Sequence, residues 1–195
     1  MDRLSKQMNF ILELDRLKDI KRQTYKLNGI EQENDAEHSW HLAVMALLLS
    51  EYSNEKVDIL RVMSMVLIHD VIEIDAGDTY AYDEAGNQTK RERELKAAKR
   101  LFGMLPEDQE KQMWGLWDEF EDFKTPESKF ANVLDRVQPG MLNDATGGKA
   151  WLEHDVAKHQ IVNRNAKIHE GSEILSEYMM NMIDKNVKLG KIKDE

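Results

Sequence analysis

The sequence predicts an all-α fold, on three observations. Apolar residues recur mainly at helical spacing. Only three prolines and ten glycines punctuate 195 residues, which favours long helices. No segment of useful length alternates apolar and polar residues, the pattern of a half-buried strand. With no linker, repeat or low-complexity tract, residues 1–195 read as one domain, long enough to bury a real core.

The elements follow in order. A first helix is expected over about 3–19, with Leu4, Met8, Ile11, Leu12 and Leu14 on or near one face. A polar connection, about 21–35, carries Arg22, Asn28-Gly29 and Asn34-Asp35. Asp35 suits the N-cap of a second helix, about 36–52, which carries His38. The third helix, about 55–74, is apolar almost all round and should be the central buried helix. The segment DAGDTYAYDEAGNQ, 75–88, is too polar and glycine-containing for helix. Helices resume at about 89–103, 107–123, 126–145 and 155–187. Pro106 and Pro126 fall where a first helical turn tolerates proline, and Gly147-Gly148 marks a break.

Composition excludes several classes. Apolar residues at 41% and charged residues at 33% give a soluble globular balance rather than a disordered or membrane one. The N-terminus lacks a signal peptide's cationic start and apolar core, and no run of about 18 apolar residues exists to span a membrane. Cytoplasmic is the default expectation, with no membrane partner. The absence of cysteine rules out disulfides and thiolate metal sites. A formal charge of −10 argues against non-specific nucleic-acid binding. It leaves a small phosphorylated substrate open, because local charge at a pocket decides that.

The chemistry concentrates at His69-Asp70, inside MSMVLIHDVIEIDAGD. An imidazole and a carboxylate in so apolar a segment are costly unless paired or bound to a metal. His38 in DAEHSWHLAVMALLL and Asp135 in FANVLDRVQPGML lie in similar apolar contexts. Two imidazoles and two carboxylates suit one divalent ion, with room for water and a substrate oxygen. Mn²⁺, Co²⁺, Fe²⁺ and Mg²⁺ fit this set better than a closed structural zinc does. The competing reading is a satisfied core histidine with surface carboxylates. A second His-Asp pair, His154-Asp155, lies in a more polar setting and reads as a cap or surface feature. His41, three residues after His38, is an alternative ligand on a similar helix face. Glu73 follows His69 at i+4 and leans over the same face, so it can serve as general base or orient water.

These residues resemble the HD-domain metal-dependent phosphohydrolases. The match is Glu37-His38-Ser39, then His69-Asp70-x-x-Glu73 with Gly77-Asp78, then Asp135. More closely, the chain is similar to the bacterial 5′-deoxynucleotidases and their eukaryotic HD-domain relatives. The resemblance runs from about Leu14 to Asp135 and more loosely to about 185, the expected domain core. It implies an HD-type helical bundle, one divalent metal ion held by His38, His69, Asp70 and Asp135, and hydrolysis of phosphate monoesters. Nucleoside 5′-monophosphates are the implied substrates, and a homodimer the implied assembly. Glu73 keeps its role under the resemblance. Asp78 matches a second catalytic or substrate-orienting carboxylate. Arg22 matches a phosphate-gripping arginine, for which a guanidinium is suited.

In the bacterial enzymes a tryptophan follows that arginine and helps exclude a ribose 2′-hydroxyl. Here the residue is Gln23, so selectivity for deoxyribose is not implied. Other HD phosphohydrolases act on signalling nucleotides or small phosphate esters. The chain lacks the Gly-Tyr-Pro signature of cyclic-dinucleotide enzymes, and Ile74 separates Glu73 from Asp75 where alarmone hydrolases have adjacent Glu-Asp. A non-catalytic nucleotide-binding regulator is the third reading. Tyr80 and Tyr82 could stack on a base or be surface tyrosines. His159, Arg164 and His169 are expected at a dimer face or the surface, while Trp114, Trp117, Phe120, Met179, Met180 and Met182 read as core or interface.

Overall fold

The structure, a computed structural model, describes residues 1–78 and 88–194. Helix α1, Arg3–Leu14, opens on Asp2, whose side chain accepts from Ser5 N, and runs into a 3₁₀ turn, Asp15–Asp19. The expected polar connection then contains a small antiparallel hairpin, β1 Lys21–Tyr25 and β2 Gln32–Asn34. Its register pairs Lys21 with Asn34 and Tyr25 with Gln32, so extra residues of β1 bulge between them. This hairpin corrects the expectation of a strand-free connection. Its strands are too short and polar to show alternation. They are fixed by what lies behind them, since Thr24 and Glu33 are buried against the helices.

Helix α2 spans Asp35–Leu49. Its N-cap is Asn34, not Asp35 as expected. The Asn34 side chain accepts from Glu37 N, and Glu37 returns the bond to Asn34 N. This capping box moves Asp35 one place inward, where it is fully buried. The expected helix 55–74 is also shorter. Helix α3, Ile59–Ile68, is capped by Asp58 and ends with His69. Turns over 70–72 lead into a single helical turn, α4 Glu73–Ala76, closed by Gly77 at φ 74°. Val62, Met65 and Val66 are buried, whereas Leu60 and Leu67 stay exposed, so α3 is central but not enclosed.

Helix α5, Lys90–Phe102, and α6, Glu107–Asp122, pack beside α4 and α3 respectively. The long helix α7, Pro126–Ala145, starts at a Thr125–Ser128 capping box, with proline at its first position. Gly147 and Gly148, both at positive φ, turn the chain into α8, Lys149–Glu153. One helix over 155–187 is not observed. The chain forms α9, Lys158–Arg164, a 3₁₀ turn, Ile168–Glu170, and α10, Glu173–Lys188. The break has a steric cause. At Gly171 the chain passes so close to α7 that a Cβ would lie 2.6 Å from the Lys129 carbonyl oxygen, and Ser172 then caps α10.

The main core lies among α2, α3, α7 and α10, with Leu42, Met65, Phe130, Leu134 and Ile183 fully buried. A second cluster joins α1 and α4 to α5 and α6 through Phe10, Ile72, Phe102 and Trp117. Trp114 packs edge-on against Phe102 and Trp117, as core aromatics do. Among the described residues no helix is long and apolar enough to cross a membrane.

Gly171→Ala should lower stability by about 1–3 kcal/mol, because the obstacle is backbone. Gly140→Ala should cost less, since its neighbours are the mobile thioether ends of Met179 and Met182. Thermal denaturation of both variants checks the order. Equal melting temperatures would contradict the steric account of the break.

Candidate metal centre

The candidate site forms where helices begin and end. His38 lies in the first turn of α2, His69 caps the C-terminus of α3, Asp70 follows it, and Glu73 opens α4. Asp135 comes from the middle of α7. His38 Nε2 is 3.1 Å from Asp135 Oδ1, and His69 Nε2 is 3.7 Å from the same oxygen. Asp70 Oδ1 is 3.1 Å from His69 Nε2, and Asp70 Oδ2 is 4.0 Å from His38 Nε2. His38, His69 and Asp135 therefore bring ligand atoms to one point, while Asp70 reaches both imidazoles but clusters with Asp35 and Glu73.

The imidazoles are held from behind. His38 Nδ1 contacts the Gln138 side-chain oxygen at 3.0 Å, and His69 Nδ1 contacts the Val66 carbonyl at 2.9 Å. Both partners are acceptors, so each Nδ1 donates and each Nε2 is turned to the centre. His69 Nε2 is buried and makes no well-aligned hydrogen bond among the described residues. Two imidazole nitrogens and neighbouring carboxylates, with their outer atoms already satisfied, fit a divalent ion.

Arg22 on β1 is the charge partner of the cluster. Its Nη1 donates to Asp70 Oδ2 at 2.8 Å and to Asp35 Oδ1 at 3.2 Å, and its Nε lies 3.6 Å from Glu33 Oε1. Gln138 joins the same network. Its Nε2 donates to Glu33 Oε2 at 2.9 Å and meets His41 Nδ1 at 3.2 Å. His41 thus sits behind His38, outside the convergent set. Glu33, Asp35 and Gln138 were missed as site residues in the sequence. Asn34-x-x-Glu37, a capping pattern, could have exposed Asp35, and Gln138 falls one helical turn after Asp135.

Electrostatics express a shortage of positive charge. Burial pushes Glu33 and Asp35 up to about 7 against the pull of Arg22. Glu73 is raised well above the usual carboxylate range by burial, then by Asp70 and Asp35. Its Oε2 is buried without a hydrogen-bond partner among the described residues. Asp78 is also raised, mainly by burial. Burial opposes ionisation of Asp135, but the adjoining His38 and His69 rings, with Arg136, hold it well below its ordinary value. His38 is lowered to about 4 by burial and by Arg22. His69 is the exception. Burial disfavours its charge, yet Asp70 and Asp135 hold it up to about 10. A divalent ion held by His69 would compete with that proton.

Two cavities open on this centre and share Arg22, Asp78, Asp135, Arg136 and Arg164. One is lined by His69, Asp70 and Glu73, and the other extends to Gln23, Asn143, Trp151 and Asn165. Arg164 is exposed, as expected, and also lines both. His154 and Asp155 are exposed; His154 Nε2 meets Gln23, which lines the second cavity, and Asp155 pairs with Lys193. His159 and His169 are exposed. Tyr80 and Tyr82 lie outside the described residues.

Comparisons agree with this construction. The HD domain family matches residues 14–176, and the chain belongs to that family. It is 30% identical to 5′-deoxynucleotidase HDDC2 of Bos taurus, over 73% of this chain and 77% of that protein. The Homo sapiens protein of the same name is 28% identical over the same shares. Among solved structures, a predicted metal-dependent phosphohydrolase from Magnetospirillum magnetotacticum MS-1 superposes with a TM-score of 0.94 at 47% identity, covering 98% of this chain and 96% of that one. The PH0347 protein from Pyrococcus horikoshii OT3 shares the fold, with a TM-score of 0.63 at 18% identity.

Gln138→Leu should weaken divalent-metal affinity about 10- to 100-fold, because His38 loses the acceptor that orients it. Calorimetric titration of metal-stripped protein measures this, and unchanged affinity would deny Gln138 that role.

Proposed function

We propose that this protein is a metal-dependent phosphohydrolase that releases phosphate from nucleoside 5′-monophosphates. One observation carries the proposal. Two back-held imidazoles and the carboxylates of Asp70 and Asp135 converge beside Arg22, where two cavities share a wall, one lined by His69 and Asp70 and the other reaching Trp151. The names of the HDDC2 relatives supply the substrate class.

His38, His69, Asp70 and Asp135 would hold one ion, with Mn²⁺, Co²⁺, Fe²⁺ or Mg²⁺ suited to nitrogen and oxygen donors. When bound, the ion supplies Lewis-acid polarisation of a phosphate oxygen. Arg22, fixed through Nη1 by Asp35 and Asp70, offers the rest of its guanidinium to the phosphate. Glu73 sits buried on the cavity wall with a free oxygen and a raised proton affinity. It is placed to orient the attacking water and take its proton. Asp78, raised by burial and lining both cavities, is placed to give a proton to the leaving 5′ oxygen. Gln23 lines the sugar side of the second cavity in place of a larger ring, which leaves ribose and deoxyribose both as substrates. A homodimer, by resemblance, and a cytoplasmic setting, which suits a chain without cysteine, complete the proposal.

The test is phosphate release from ribo- and deoxyribonucleoside 5′-monophosphates, using metal-stripped protein resupplied with Mn²⁺, Co²⁺ or Mg²⁺. Metal-dependent release is expected; no release with any metal would move the site to another phosphate ester or to binding alone. Glu73→Gln should retain metal yet lower kcat about 10²- to 10⁴-fold. An unchanged kcat would remove Glu73 as the base.

A further inference from the structure

Arg136 follows Asp135 on α7 and stands where the two cavities meet, lining both. Its side chain is 23% exposed, and none of its nitrogens is among the buried unpaired atoms of the described residues. The guanidinium therefore opens onto the cavities rather than into packing. Its Nε lies 3.8 Å from Asp135 Oδ2, too far for a hydrogen bond. Among the described residues the group makes no hydrogen bond at all. Asp135 is not free to approach it, because its Oδ1 is shared by His38 and His69.

The other cations of the cavities are more committed or more solvated. Arg22 is 14% exposed, its Nη1 serves Asp35 and Asp70, and its buried Nε lies 3.6 Å from Glu33. Only its Nη2 remains for a ligand among the described contacts. Lys90 lines one cavity and pairs with Glu94 at 3.4 Å. Arg164 lines both but is exposed, so water screens its charge. Arg136 combines partial enclosure with an unspent fork of donors, the form of cation that binds oxyanions most firmly.

Resting on the phosphohydrolase reading of this site, we propose that Arg136 grips the terminal oxygens of the substrate's phosphate from the side of α7, while Arg22 does so from β1. A phosphate monoester carries about two negative charges and three terminal oxygens near neutral pH. Two guanidinium groups beside the metal centre give each of those oxygens a partner. A diester has a single charge and two terminal oxygens, so its second ester group would leave a guanidinium unpaired. The substrate class narrows to dianionic phosphate monoesters, and Arg136 is the residue that narrows it.

Calorimetric titration of inorganic phosphate into Mn²⁺-loaded protein reads this without turnover. Wild-type protein should bind phosphate, and Arg136→Gln should bind it about 10- to 100-fold more weakly. Arg136→Lys keeps the charge but not the fork and should fall between the two. Mn²⁺ affinity, titrated on metal-stripped protein, should be the same in all three. Unchanged phosphate affinity in Arg136→Gln would overturn the proposal. So would a loss of Mn²⁺ affinity that accounts for the weaker phosphate binding, because Arg136 would then act by holding Asp135. Wild-type protein supplies a test that needs no variant to fold. Methyl phosphate should displace inorganic phosphate about tenfold more effectively than dimethyl phosphate does, and equal displacement would overturn the selection of monoesters. On a nucleoside monophosphate that is hydrolysed, Arg136→Gln should raise KM more than it lowers kcat. If no nucleotide is hydrolysed, the phosphohydrolase reading fails, whereas phosphate binding that depends on Arg136 still upholds its role as the oxyanion holder.

Discussion

Several carboxylates brought out of water at one point constrain everything around them. Glu33, Asp35, Asp70, Glu73 and Asp135 surround a centre in which the Arg22 guanidinium directly contacts Asp35 and Asp70, while Arg136 lies 3.8 Å from Asp135. Leaving such a cluster uncompensated costs several kcal/mol per ion. The guanidinium is therefore structural before it is catalytic. It holds β1 against the start of α2 and the end of α3, and the hairpin exists in that place because Arg22 and Glu33 belong to the cluster. The raised proton affinity of His69, held up by Asp70 and Asp135, has the same origin as this crowding of negative charge. A divalent ion relieves it, which couples metal binding to the integrity of the centre.

The site's residues sit at interruptions in helices, where side chains can point along rather than across the bundle. His69 ends α3, Glu73 begins α4, and His38 lies one turn into α2. Asp135 is the mid-helix member, and Pro139 four residues on has no N–H to offer its carbonyl. Around this irregular centre the apolar core is regular. Leu42, Met65, Phe130 and Leu134 pack to full burial and hold the three helices whose side chains must meet. Precision at the centre thus comes from core packing, with Val66 and Gln138 setting the ring orientations.

The cavities grade from charge to apolar surface. Near the centre lie Arg22, Asp78 and Arg136; further out are Trp151, Ile161 and Met179. Such a gradient suits a ligand that is anionic at one end and flat at the other.

The sequence by itself determined the class of fold and the chemistry. Helical periodicity located α1, α2, α3, α5, α6 and α7, and His38, His69, Asp70 and Asp135 stood out because polar side chains in apolar helices need a reason. Local capping chemistry was legible too, although Asn34 and Glu37 were passed over and Asp35 was placed at the wrong position. The tertiary structure alone decided the rest. The hairpin has too few residues for a periodic signal and is held by buried partners distant in sequence. The split between α9 and α10 follows from Gly171 crossing Lys129, a contact between segments about forty residues apart. The pairing of Arg22 with Asp70 and the support of His38 by Gln138 are long-range as well. Local patterns record which face of an element is buried, but which residues face one another across the core is set by packing.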